Sequence, residues 1–264
     1  MMRGASADAY AAAAQVLPGT GDLRKVGQDL FGTADLFRAE PGLRRVATDV
    51  SVPGEAKAGL VRDVLSGKVA DEALEVVTTA VAQRWTAARD LADALEQLGV
   101  VAVVRSSADQ ADRLEDELFA VGQLVQGSPE LREALSDPAR SREDKSGLVS
   151  GLLADKVLPA TVSLVQQALS GSHRTVGVAL GEYQKVAAEV REQRVATVRV
   201  ARPLAEADRE RLQAVLSRTY GRTVHLNVVV DPEVIGGIRV DIGDDVIDGT
   251  VASRLDDAGR KLAG

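Results

Sequence analysis

The 264-residue chain contains no cysteine. That excludes a disulfide framework, a thiol nucleophile and any metal site built on thiolates, though it does not fix the compartment. Aromatic residues make up only 3% of the sequence and Trp85 is the single tryptophan, so no base-stacking platform is available. Trp85 reads instead as a half-buried anchor at a helix end. The two histidines, His173 and His225, have no second ligand at metal spacing and read as surface side chains. Asp241, Asp244, Asp245 and Asp248 lack the order of a calcium loop and read as turn carboxylates. No nucleophile elbow and no phosphate-cradling glycine pattern occurs. No residue is therefore nominated for catalysis, for a cofactor or for a metal. Long apolar runs are missing too: the longest, Leu98 to Val104 counting Gly99, is far short of the ~20 residues that span a bilayer. The alanine-rich start, with Arg3 and Asp8, is not expected to be a secretory signal.

What is present is ordinary soluble composition with an uneven charge. The net charge of −7 argues against nonspecific nucleic-acid binding, which needs an excess of Lys and Arg facing phosphates. Eight acids stand against Arg239 and Arg254 between Asp231 and Asp257, whereas eight arginines stand against five acids between Glu189 and Arg222. A basic stretch beside an acidic one can steer a charged partner or simply be solvated.

The chain repeats itself at an offset of 88 residues. Leu30-Phe31 recurs as Leu118-Phe119, and Pro41, Leu43 and Arg44 recur as Pro129, Leu131 and Arg132. Glu55, Lys57, Gly59, Leu60 and Val61 recur as Glu143, Lys145, Gly147, Leu148 and Val149. No gap is needed, which indicates a duplicated domain. Each copy has the 3.6-residue apolar period of helices. The stripes are Val26, Leu30, Ala34 and Phe37; Leu60, Val61, Val64 and Leu65; Leu74, Val77 and Val81; and Ala88, Leu91, Leu95 and Leu98. In the second copy they are Leu114, Leu118, Val121 and Val125; Leu148 and Leu152; Val162, Val165 and Leu169; and Tyr183, Val186 and Val190. Asp71 is a candidate cap for the helix that follows it, and Pro53 fits a first helical turn. The β-branched Val100 to Val104 suggests a strand, but the repeat register lays it on the alanine-rich Ala12 to Val16 and predicts a helix. Short breaks between such helices predict antiparallel bundles.

After Glu192 the period changes. Ala196, Val198 and Val200 alternate as a strand that Arg202-Pro203 ends, and a helix follows with Asp208, Leu212, Val215, Leu216 and Thr219 on one face, closed by Gly221. Val224, Leu226, Val228 and Val230 alternate as a second strand, stopped by Asp231-Pro232. Gly236-Gly237 allows backbone conformations closed to other residues. Ile238, Val240 and Ile242 resume the alternation, Gly243-Asp244 is a turn, and Asp245 to Asp248 pairs back. Thr250 can cap a last helix facing inward with Val251, Leu255, Ala258 and Leu262. The fold class expected is mostly α with a small α+β C-terminal domain: helical bundles at 1–93 and 94–192, then a short mixed sheet with two helices at 193–264.

The closing stretch, DPEVIGGIRVDIGDDVIDGTVASRL, resembles the C-terminal signature of the delta subunit of F-type ATP synthases, the bacterial counterpart of the mitochondrial oligomycin-sensitivity-conferring protein. Its carriers are Asp231, Pro232, Ile235, Gly236, Gly237, Ile238, Gly243, Asp248, Gly249 and Leu255, and the opening Asp8-Ala9-Tyr10-Ala11 is similar to the start of such subunits. Delta chains ordinarily carry one helical bundle; two copies resemble the extended form of actinobacterial synthases. The resemblance implies a non-catalytic stator subunit with no cofactor, peripheral on the cytoplasmic face of the cell membrane and reaching the membrane only through partners. It implies that a bundle receives the N-terminal helix of an alpha subunit between its first and fifth helices. Here that groove is near Tyr10, Ala13 and Ala14 with Leu74, Val77 and Val81 in the first copy, and near Val101, Val104, Val162, Val165 and Leu169 in the second. It further implies that the C-terminal unit holds b-type stalk subunits. An alternative from another class is a helical adaptor of an unrelated complex that has borrowed the same C-terminal unit. Which copy receives the alpha helix stays open at this level.

Overall fold

The computed structural model describes residues 2–249 apart from residues 138, 154, 171, 191–193, 222–223, 233, 235 and 243–244, with the backbone alone of Ala108, Arg194, Val195 and His225. The chain divides into two compact units, Met1–Val186 and Ala187–Gly264. The expected mostly-α class with a small mixed sheet is what the described residues form. The helix expected after Thr250 and the turn at Gly243-Asp244 lie outside the described residues.

The first unit is helical. Its elements are α1 (Ala5–Gln15), α2 (Leu23–Ala39), α3 (Pro41–Thr48), α4 (Gly54–Leu65), α5 (Asp71–Ala82) and α6 (Ala88–Arg105). They are followed by α7 (Ala111–Gly127), α8 (Pro129–Ser136), α9 (Arg142–Leu153), α10 (Pro159–Ala168) and α11 (Val176–Val190). Local chemistry sets the boundaries. The Asp22 carboxylate accepts from the Lys25 N–H at 3.0 Å and caps α2, and Ser128 caps α8 through the Leu131 N–H at 3.2 Å. Prolines open α3, α8 and α10, where a missing N–H costs nothing. At α5 the expectation is corrected. Asp71 is the first helical residue and Ala70 is the cap, whose N–H donates instead to Asp29 of α2 at 2.8 Å.

The repeat governs the helices. Shifted by 88 residues, α2, α3 and α4 fall end for end on α7, α8 and α9, while α5 and α6 begin where α10 and α11 begin. The same shift lays α1 on Leu95-containing residues inside α6. One helix thus serves both copies, last in the first and first in the second, and it runs unbroken across residues 93 and 94. Val100 to Val104 is helical, as the register predicts: the 98–104 portion of α6 is apolar and buried all round, and packing overrides β-propensity.

The stripes reach the core with one rotation. Val26, Leu30, Ala34, Phe37, Leu91, Leu95 and Leu98 are buried, as are Leu114, Leu118, Val121 and Val125. On α4 and α9, however, Val61, Leu65, Val149 and Leu153 point inward, while Leu60 and Leu152 are exposed. Trp85 closes α5 as an anchor, buried rather than half-buried, with Nε1 donating to the Ala80 carbonyl at 2.9 Å. A polar cluster holds α2, α6 and α11 together. Arg38 Nη2 donates to Glu96 Oε2 at 2.6 Å, and Ser172 Oγ and Tyr183 Oη both donate to Glu96 Oε1 at 2.7 Å.

In the second unit, β1 (Arg194–Val200) pairs in parallel with β2 (Val224–Val230), and α12 (Glu206–Tyr220) makes the crossover. β1 also pairs antiparallel with β3 (Ile238–Ile242), which pairs with β4 (Asp245–Asp248), giving the order β2-β1-β3-β4. The alternating residues expected on one face, Ala196, Val198, Val200, Val224, Leu226, Val240 and Ile242, form the core with Leu216. α12 is corrected at its centre: Leu212, Leu216 and Tyr220 pack on the sheet, whereas Val215 is 53% exposed. Asp208 and Thr219 are exposed as well, because a stripe centred on Leu216 leaves residues one position away facing water. Gly221 ends the helix with φ 65°, as its place in the sequence predicts.

Candidate partner-binding surfaces

In the first copy the α1–α5 seam is part core and part groove. Ala13, Val77 and Val81 are fully buried between the helices, and Leu74 is buried at their edge. Tyr10 and Ala14 are half-buried and lie along the open side of α1, with Ala11 exposed between them. α1 is fixed at its start by Ser6, whose hydroxyl donates to Asp90 at 2.6 Å and accepts from the Thr86 N–H at 2.8 Å. Small alanines keep the groove floor low, and its rim is acidic. Asp8, Asp71, Glu72 and Glu75 are exposed, and neither helix carries a Lys or Arg.

In the second copy the residues expected to line a groove are part core as well. Val101, Val104 and Val165 are buried, and Val162 and Leu169 are half-buried. Beside them on α6, Gly99 and Val103 are covered by α2 of the first copy. A Cβ built on Gly27 would lie 2.5 Å from Val103 Cγ2 and 2.7 Å from the Gly99 carbonyl oxygen, and one built on Gly99 would lie 2.6 Å from Phe31 Cε1. α2 also reaches α10, where Gln28 Nε2 donates to Ser163 Oγ at 3.1 Å.

A cavity of about 460 Å³ between α7, α8 and α11 is a feature the sequence reading did not contain. It is lined in part by Phe119, Gly122, Val125 and Leu180. The available signal was loss of bulk between the copies, since Ala34 and Phe37 become Gly122 and Val125.

The glycine pair of the second unit has the geometry expected of it. Gly236 and Gly237 have φ 101° and 86°, a region that disfavours any side chain. Before them the Asp231 N–H donates to the Val200 carbonyl at 2.8 Å, and Pro232 follows where the ladder stops. Gly249 closes the β3–β4 hairpin by donating to the Ile238 carbonyl at 2.9 Å, and Asp248 faces Arg239 across it. Arg199 and Arg239 are paired across β1 and β3 and share the Asp241 carboxylate, which answers the repulsion of two facing arginines. β4 is an edge strand with Val246 and Ile247 exposed. Ile235, Gly243 and Leu255 lie outside the described residues. Among the described residues no group of three or more His, Cys, Asp or Glu could hold a metal ion, and no helix is long and apolar enough to cross a membrane.

Comparison with known proteins is consistent along the chain. The family model described as ATP synthase delta (OSCP) subunit matches residues 100–262, which takes in the second copy and the C-terminal unit. ATP synthase subunit delta of Nocardioides sp. is 55% identical over 268 residues, covering 100% of this chain and 98% of that protein. The subunits of the same name from Kineococcus radiotolerans and Streptomyces coelicolor are 48% and 41% identical, covering 92% and 99% of this chain and 89% and 98% of those proteins. Full-length alignment includes both helical copies. The chain belongs to the ATP synthase delta (OSCP) subunit family.

Proposed function

We propose that the chain is a non-catalytic peripheral-stalk subunit of a proton-translocating F-type ATP synthase, which links the catalytic head to the membrane sector and resists rotation of the head. The observation that carries this reading is family membership over the full length of the chain. Division into a helical unit and a separate α+β unit, each with its own core, supplies two attachment points. The helical part, with copies at 1–93 and 94–192, faces the head, and a groove of one copy takes the N-terminal helix of an alpha subunit by helix-in-groove recognition. The α+β unit, 193–264, takes the ends of b-type stalk subunits. The subunit is then peripheral on the cytoplasmic face of the cell membrane, held there through these partners. Two attachments on one chain reinforce each other, because each keeps the other within reach at high effective concentration.

Truncation before Val195 separates the two roles. The shortened chain is expected to retain the alpha N-terminal peptide and to lose the soluble portion of the b-type subunits in a pull-down. Unchanged recovery of the b-type subunits would refute this division.

A further inference from the structure

Because α6 belongs to both copies, the helix packed on it inside the first copy also lies over the groove of the second. Residue by residue, the open face of α1 (Tyr10, Ala11, Ala14 and Gln15) corresponds to Leu98, Gly99, Ala102 and Val103 of α6, all of them buried. On the partner helix, exposed Glu75 of α5 corresponds to buried Ser163 of α10. The group that buries Gly99, Val103 and Ser163 is α2, through Gly27, Phe31 and Gln28. Arg142 of α9 adds an ion pair to Asp35 of α2.

Resting on the function proposed above, we infer that the second copy's helix-binding groove is filled by α2 of the first copy, so that the chain offers one groove, between α1 and α5, to one partner helix. α2 shows how such a groove is occupied: a small residue at the crossing, an aromatic one turn later and an amide reaching the fifth helix. In a stack of repeats, an outward face that meets only water is polar. The outward face of α1 is instead Tyr10, Ala11 and Ala14, with Gln15 at its end, framed by Asp8, Asp71, Glu72 and Glu75. Its occupant is an amphipathic helix with an apolar stripe and basic flanks, which the opposite charge steers and orients. The duplication therefore moves the single binding surface outward by one repeat rather than doubling it.

The test is calorimetric titration of the full chain with the N-terminal peptide of the alpha subunit from the same synthase. One peptide per chain is expected. Ala14→Trp, which fills the groove from a half-buried position, weakens binding at least tenfold, and Glu75→Lys weakens it several-fold. Val162→Ala in the second copy leaves affinity within twofold. Since the chain has no cysteine, Gln28→Cys with Ser163→Cys can be bridged by a short thiol cross-linker, and the bridged chain binds the peptide as before. Two peptides per chain, or loss of binding in the bridged chain with Ala14→Trp silent, would overturn the single-groove inference while leaving the head-binding reading intact. No binding by the unaltered chain would overturn both.

Discussion

Glu96→Ala destabilises the helical unit by about 3–5 kcal/mol, the range for removing one partner of a buried ion pair. The side chain is 5% exposed and receives three hydrogen bonds, from Arg38, Ser172 and Tyr183. Truncation leaves the Arg38 guanidinium, itself mostly buried, with the half-exposed Asp93 at 3.0 Å and Asp35 at 3.5 Å as its remaining carboxylates. It also leaves the Tyr183 hydroxyl facing a void. Denaturant unfolding measures the loss, and a change below about 1 kcal/mol would place this cluster among ordinary surface pairs. The same cluster sets an acid limit. Burial pushes the Glu96 carboxyl up, but the hydrogen bonds from Ser172 and Tyr183 and the nearby Arg38 charge outweigh it and hold the group below the usual carboxylate range. A carboxyl whose pKa is depressed by folding contributes stability that is present above the unfolded-state value and lost as pH falls through the folded one. Stability is therefore expected to fall on acidification below about pH 4.3, and Glu96→Gln flattens that fall.

Gly27→Leu is the second large effect. Here α2 and α6 cross with backbone almost on backbone, and even a methyl group would meet the Gly99 carbonyl oxygen at 2.7 Å. Overpacking of this kind costs about 1–3 kcal/mol or more, and at this crossing it outweighs the ~1 kcal/mol by which glycine is a poorer helix former than alanine. Gly122 of α7 is the control, because a Cβ there meets nothing within 4 Å. Gly122→Ala stabilises by about 0.5–1 kcal/mol, so thermal melts of the two variants move in opposite directions. A Gly27→Leu protein that melts at the parent temperature would mean that the crossing is looser than its geometry requires.

Much of this fold was legible in the residues because the helix starts keep one register between the copies. One ungapped offset located α7, α8 and α9 from α2, α3 and α4 and settled the conformation of Val100 to Val104 against its β-propensity. Sheet alternation was equally legible, since a period of two assigns each side chain to a face. What escaped were features that depend on a third element. Val215 and Leu216 are equally apolar, and only the sheet's position under Leu212, Leu216 and Tyr220 decides which faces water. Asp29 satisfies the start of α5 from another helix, which local capping rules do not reach. Glu96 sits at an ordinary polar position in an amphipathic pattern, and its counterpart in the repeat is Gln184, so periodicity carries no trace of the cluster. The two candidate grooves looked alike for a related reason. Ala13, Leu74, Val77 and Val81 correspond to Val101, Val162, Val165 and Leu169, but α6 is shared, and sharing buries the Leu98, Gly99, Ala102 and Val103 face while leaving its twin on α1 open.

Both halves of the proposed bridge can be tested in a single measurement. Sedimentation velocity of the intact chain with the alpha N-terminal peptide and the soluble portion of the b-type subunits, each carrying its own dye, reports which components travel together. A single boundary containing all three, with one alpha peptide per chain, is expected. Mutual exclusion of the two ligands, or a boundary that lacks either one when both are in excess, would contradict a chain that holds head and stalk at once.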